Sequence, residues 1–314
     1  MALDRKPLLK IPRVAPGTGI SIVAPASFAR PERVEQGAAA LGKAGYAPQF
    51  AANALDRGPL YFAASAAGRL ADLHSAFADE STRAVMALRG GYGANYLLDG
   101  LDAKRIAAQP KAFFAYSDLT GIQLRLLDEI GLMAFHGPML AADFYRDDGV
   151  HWASFQAALN GAAYSVAAAE GLRTLKAGDA RGVLYGGCLS ILVSLIGTPW
   201  EPRTEGSLLF LEDVGVKPYQ IDRMLWQLRK AGKLEGVRGI VFGEMLECAS
   251  PGAAPDLLEN AILSALDGFA GPIAIGLRSG HVSRANVTLR FGADADLIAS
   301  DEARLELFAP AGAA

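Results

Sequence analysis

Two short runs in the first half of the chain, Ala84-Val-Met-Ala-Leu88 and Ala112-Phe-Phe-Ala115, carry no polar residue at any position. A strand with one face in water alternates, so an unbroken apolar strand has to be covered on both faces. Around these runs lie stretches with helical spacing. Val34, Ala38 and Leu41 share one face of 31–45, Leu70, Leu73 and Phe77 one face of 66–77, and a third helix is expected over 119–130. Ile20–Val23 and Met133–Phe135 read as further strands of the same unit. Strands alternating with helices predict an α/β domain around a parallel sheet, residues 1–150.

From Arg146 to Ala180 the pattern loosens, with glycines at 161, 171 and 178, and 151–180 reads as a linking region. A chain of 314 residues exceeds the ~250–300 at which a single core stops growing, so a second domain is expected over 181–314. It begins with strand Gly182–Tyr185 and a helix from Cys188 to Ile196, then strand Ser207–Leu211, a helix from Tyr219 to Ala231, strand Gly239–Phe242 and a helix around 256–266. After His281 the pattern becomes alternating, at Val287, Leu289, Phe291, Leu305 and Leu307. That predicts antiparallel strands closing a smaller α+β domain.

Charge excludes one class of partner. A net charge of −3 with pI near 5.9 gives no basic footprint for nucleic acid. The first 16 residues lack an apolar secretory core, and the longest greasy stretch, 188–196, is under half of the ~20 residues a membrane helix needs. With two cysteines, Cys188 and Cys248, no disulfide framework is expected, and a cytoplasmic protein without a membrane partner follows. None of the four histidines has metal-ligand spacing, so no metal and no cofactor are expected.

Chemistry is expected at the strand ends. Ser117 stands where the apolar strand Phe113–Tyr116 turns directly into a helix, at the carboxyl edge of the sheet, where open α/β folds bind ligands. The joint resembles a nucleophile elbow without its Gly-x-Ser-x-Gly sequence; the plainer role is a helix cap. Gly90-Gly-Tyr-Gly93 follows a strand at the same edge, and could offer the Gly91 N–H, with that of Asp118, to an oxyanion. Glu212 ends the strand Leu208–Leu211; Glu244 ends Ile240–Phe242 and is its rival. His281 lies in a polar loop after Ile273–Ile275, with His136 as its rival; His74 reads as a surface residue and His151 as structural. Cys188 after Gly186-Gly187 is a chemically possible nucleophile, set against its apolar neighbours.

Taken together, Arg89-Gly-Gly-Tyr-Gly93, Tyr116-Ser-Asp-Leu-Thr120, His136-Gly-Pro138, Tyr185-Gly-Gly187, Phe210-Leu-Glu-Asp213, Pro218–Leu225 and Gly280-His281 resemble the LD-carboxypeptidase family, which includes the microcin-C-resistance peptidases. Their order covers nearly the whole chain. The resemblance implies a serine peptidase with Ser117, Glu212 and His281 as its relay, and an N-terminal domain like that of class I glutamine amidotransferases. It implies a site between two domains, hydrolysis of the L,D bond that releases D-alanine from a murein tetrapeptide, and homodimers. Arg89 beside the glycine loop is a candidate donor to a terminal carboxylate. The sequence departs from the family at Cys188, where asparagine is frequent, at Ala115, and after His281. Alternatives are a peptidyl-nucleotide hydrolase of the microcin-C type with Trp152 or Trp200 stacking on a base, a Cys188-dependent amidase, and a peptide-binding protein without catalysis.

Overall fold

The computed structural model describes residues 5–249, 252 and 254–310. They form two compact units, one of residues 5–162, 284–292 and 309–310, the other of residues 163–283 and 293–308.

The first unit is built on β1 (Gly19–Val23), β2 (Ala47–Phe50), β3 (Thr82–Ala87), β4 (Ala112–Ala115) and β5 (Ala134–His136). In the sheet, β5, β4, β3, β1 and β2 run parallel in that order. Every residue of β1 and β4 is buried, as apolar runs covered on both faces require. The chain leaves β1 toward β2 on one side and returns to β3 on the other, so the strand order reverses between β1 and β3. The helices of this unit are α1 (Pro31–Lys43), α2 (Ala66–Ala78), α3 (Ala103–Ala108), α4 (Thr120–Ile130) and α5 (Trp152–Asn160). Proline opens α1, and its buried side is Val34, Gly37 and Leu41. Gly37 is there because a Cβ would come within 2.2 Å of the Leu140 carbonyl oxygen.

The second unit holds an eight-stranded sheet. β6 (Tyr164–Val166) and β7 (Arg173–Lys176) are its edges, and β8 (Gly178–Cys188), β9 (Ser207–Glu212), β10 (Gly239–Gly243) and β11 (Ile273–Leu277) its parallel centre. Its helices are α6 (Leu189–Ser194), α7 (Pro218–Lys230) and α8 (Leu257–Ala265). The stretch read as linking, 151–180, instead holds α5, the edge strands β6 and β7 and the first residues of β8; the mostly half-exposed residues of the two edges have no reason to form apolar runs.

The alternating segment after His281 divides between the sheets. β12 (Leu289–Phe291) pairs antiparallel with β5 in the first unit, whereas β13 (Asp294–Ala299) and β14 (Arg304–Leu307) pair antiparallel in the second. Local alternation does not say which edge a strand will join. In β12 even the polar position is buried, since Arg290 has no exposed surface and its Nη2 donates to the Ala162 carbonyl at 2.8 Å.

Candidate active site

In the first unit the parallel strands aim their carboxyl ends at one edge. β4 delivers Tyr116 in extended backbone, and Ser117 then adopts φ +65°, the left-handed region that L side chains avoid. A short 3-10 turn, Ser117–Leu119, leads into α4. Ser117 stays partly exposed among buried neighbours. Such strain costs about 1–3 kcal/mol and is held only where surrounding structure enforces it.

The glycine loop is pressed against this turn. A Cβ on Gly90 would stand 2.7 Å from Ser117 Cβ and 2.8 Å from its Oγ, so the close approach exists only because position 90 is glycine. Gly90→Ala is therefore expected to displace the serine hydroxyl. Any chemistry that depends on that hydroxyl should slow by at least about 100-fold while far-UV circular dichroism stays that of the native fold.

Three anchors hold the loop. The buried Asp118 Oδ2 accepts the Ala94 N–H at 2.8 Å. Burial pushes the Asp118 pKa up to about 6, against the pull of backbone N–H groups and Arg69. Arg69 Nη1 donates to the carbonyls of Gly93 at 2.8 Å and Pro25 at 2.5 Å. Ser27 Oγ accepts the Tyr92 N–H at 3.1 Å. After the loop stands a single 3-10 turn, Ala94–Leu97. Arg89 is exposed at the start of the loop. Its Nη2 lies 3.4 Å from the point a Cβ on Gly91 would occupy.

In the second unit, Glu212 ends β9 with no exposed surface. Its Oε2 accepts two hydrogen bonds from one residue, His281 N–H at 3.0 Å and His281 Nδ1 at 2.8 Å. With Glu212 ionised its oxygen only accepts, so Nδ1 carries the proton, and in the neutral imidazole Nε2 then keeps its lone pair. His281 is partly exposed, its side chain at 22%. Two glycines make the pairing possible. A Cβ on Gly280, φ +89°, would stand 2.6 Å from Glu212 Cδ, and one on Gly243 2.6 Å from Glu212 Cβ.

The rivals have other partners. Glu244 accepts the Ser283 N–H at 2.8 Å. His136 is wholly buried, its ring 5.8 Å from that of Tyr116 and 5.1 Å from that of Phe291. His74 Nε2 accepts the Asp102 N–H, and His151 caps α5. Cys188 ends β8 in register with Glu212 and caps the start of α6, as the sequence pattern predicted. Burial first, then the Glu212 and Asp213 carboxylates, push its thiol pKa well above the ordinary value, which disfavours a thiolate.

Some contributors have little sequence signal. Arg69 lies on the buried face of α2, where a charge four residues before Leu73 is the one clue. Ser27 has none. Among the described residues, no three His, Cys, Asp or Glu side chains converge as metal ligands, and no helix is long and apolar enough to cross a membrane.

A left-handed serine at the end of a parallel strand and a buried carboxylate bonded to a histidine are features of hydrolases that act through a relay. Residues 20–137 match the LD-carboxypeptidase N-terminal domain and residues 181–297 the LD-carboxypeptidase C-terminal domain. The chain belongs to the LD-carboxypeptidase family. A Bacillus subtilis protein named "Probable murein peptide carboxypeptidase" is 36% identical over 276 residues, covering 85% of each chain. A muramoyltetrapeptide carboxypeptidase from Oxalobacter formigenes has a crystal structure that superposes with a TM-score of 0.81 at 29% identity, over 93% of this chain and 99% of that one. The microcin C7 self immunity protein MccF, in its wild-type apo state, gives a TM-score of 0.88 at 21% identity over 96% and 98% of the two chains, a likeness of fold alone.

Proposed function

We propose that this chain is a serine L,D-carboxypeptidase that releases the terminal D-alanine from murein tetrapeptides, acting in the cytoplasm as a homodimer. The observation that carries the reading is Ser117, strained and partly exposed at the carboxyl end of β4 in a chain of this family.

Ser117 Oγ attacks the carbonyl carbon of the L,D bond while His281 Nε2 takes its proton. Glu212 keeps the imidazole in the Nδ1–H tautomer and stabilises the imidazolium that forms. The N–H groups of Gly91 and Asp118 are assigned to the developing oxyanion, and Arg89 to the terminal carboxylate. As the C–N bond breaks, His281 returns the proton to the leaving amine, and D-alanine departs. Water, deprotonated by the same imidazole, then hydrolyses the ester on Ser117. A carboxylate buried beside Gly280 and Gly243, with both its histidine bonds made, supports the division of roles between Glu212 and Glu244.

Stereochemistry tests the substrate. Inverting the centre beside a fixed carbonyl sends its carboxylate to a different wall, and reacting atoms must meet within ~3–3.5 Å. Chiral chromatography of liberated alanine is expected to show rapid release from an L,D-terminated tetrapeptide. The L,L isomer and a D,D-terminated pentapeptide should give at least about 100-fold less. Equal release from all three contradicts the assignment.

A further inference from the structure

After β5 the chain makes a largely buried turn, Leu140–Phe144, and the glycine loop is fastened to it. The Ala141 N–H donates to the carbonyl of Leu88, the residue before Arg89, at 2.8 Å. The same loop is pressed against Ser117 at Gly90. Whatever holds this turn therefore holds the backbone beside the serine.

A carboxylate holds it. Asp143 stands within the turn and is 1% exposed. Its Oδ2 accepts the Met139 N–H at 2.9 Å, and its Oδ1 accepts Asn286 Nδ2 at 3.2 Å and Arg146 Nη2 at 3.5 Å. Asn286 is wholly buried and lies in 284–292, where the chain re-enters the first unit three residues after His281. The backbone of Asn286 is bound as well, its N–H donating to Gly149 O at 2.9 Å and its carbonyl accepting the His151 N–H at 3.1 Å. Arg146 Nη2 also donates to Arg284 O at 3.4 Å.

A charge is a costly way to join two buried segments. Burial pushes the Asp143 pKa up to about 6, against the pull of the Met139 N–H, Arg146, Asn286 and the Tyr116 hydroxyl. The last of these belongs to the residue before Ser117. An amide at 143 would be cheaper to bury, but it has one acceptor oxygen where donors face both oxygens of Asp143. Only the carboxylate accepts from both sides at once.

We infer that Asp143 is a positioning residue of the relay, joining Asn286 to the turn that carries the glycine loop. The segment leading away from His281 and the backbone beside Ser117 thereby share one support. The inference rests on the serine carboxypeptidase reading, in which Ser117 and His281 act together. Asp143 is buried and acts only through these neighbours, so its loss should slow the chemical step and leave peptide binding intact.

The test is a swap. Asp143→Asn sets an amide against the Asn286 amide, and Asn286→Asp sets a carboxylate against the Asp143 carboxylate. The double variant again pairs one carboxylate with one amide. In each single variant two rates are followed well below its melting temperature, D-alanine release from an L,D tetrapeptide and fluorophosphonate labelling of Ser117. Both kcat and the labelling rate are expected to fall by about 30-fold or more, with KM within about threefold of the wild type. The double variant should recover both rates by about tenfold or more. A merely structural Asp143 would lower the melting temperature and leave kcat of the folded protein unchanged. That result, or a swap no faster than the single variants, overturns the inference. Arg146→Gln, at a partly exposed position, serves if the buried variants do not fold. It should lower kcat by about tenfold at unchanged KM, and an unchanged kcat overturns the inference. A wild type that labels at Ser117 but releases no D-alanine sinks the carboxypeptidase reading alone, and the labelling rates then decide the role of Asp143. A wild type that does neither overturns both.

Discussion

Ser117→Ala is expected to lower D-alanine release by at least about 10⁴-fold with a native fold, because the members of a relay act as a unit. Ser117→Gly should be just as inactive, yet more stable. An L residue in the left-handed region costs about 1–2 kcal/mol, and glycine escapes that cost while losing about 0.5–1 kcal/mol of unfolded-chain entropy. At φ +65° the balance favours glycine by up to about 1.5 kcal/mol, readable as a higher urea midpoint. A serine that merely capped α4 would give the opposite pair of results, with activity kept and stability lost on removal of the hydroxyl.

Glu212→Gln is the second large effect. Glu212 Oε2 accepts both His281 bonds, and a glutamine either accepts them without charge or turns its amide N–H toward Nδ1. The first leaves the imidazolium unsupported, and the second forces the tautomer that has no lone pair at Nε2. We expect kcat to fall by about 10³–10⁴-fold. Glu244→Gln loses one bond to the Ser283 N–H and should cost less than about tenfold. Reversed magnitudes would exchange the two roles. The same account requires a neutral imidazole to accept the serine proton. The wild-type kcat/KM should therefore fall as pH is lowered through the histidine range near ~6.5.

Much of this was readable from residue order. Apolar runs marked β1, β3, β4 and β5, and Ala112–Ala115 is β4 to the residue, whereas the mostly exposed edge strand β2 carried no such signal. Strand ends in the sequence put Ser117, Glu212 and the glycine loop at carboxyl edges. What stayed hidden was set by contacts distant in the chain. Glu212 and His281 are 69 positions apart, and no spacing rule joins them. Gly280 and Gly243 look like ordinary loop glycines until a Cβ is placed against Glu212. Cys188 follows a glycine pair and read as the start of a helix, which it is as the cap of α6, but nothing in the sequence showed that it also ends a strand. The structure carries β8 through both glycines to end beside Glu212, because a Cβ on Gly186 would meet the Phe210 carbonyl oxygen of the neighbouring strand at 1.9 Å. β12 likewise pairs with β5 while its buried Arg290 donates to the Ala162 carbonyl, a partner far away in the chain.

The central claim is that Ser117 is the nucleophile, and covalent trapping addresses it most directly. The wild-type protein is incubated with a fluorophosphonate until D-alanine release stops, then digested and mapped by mass spectrometry. The account predicts one adduct per chain, on Ser117, appearing in step with the loss of activity and absent from Ser117→Ala. Full activity in the presence of the probe, or inactivation that tracks an adduct at Cys188 or any other residue, would contradict it.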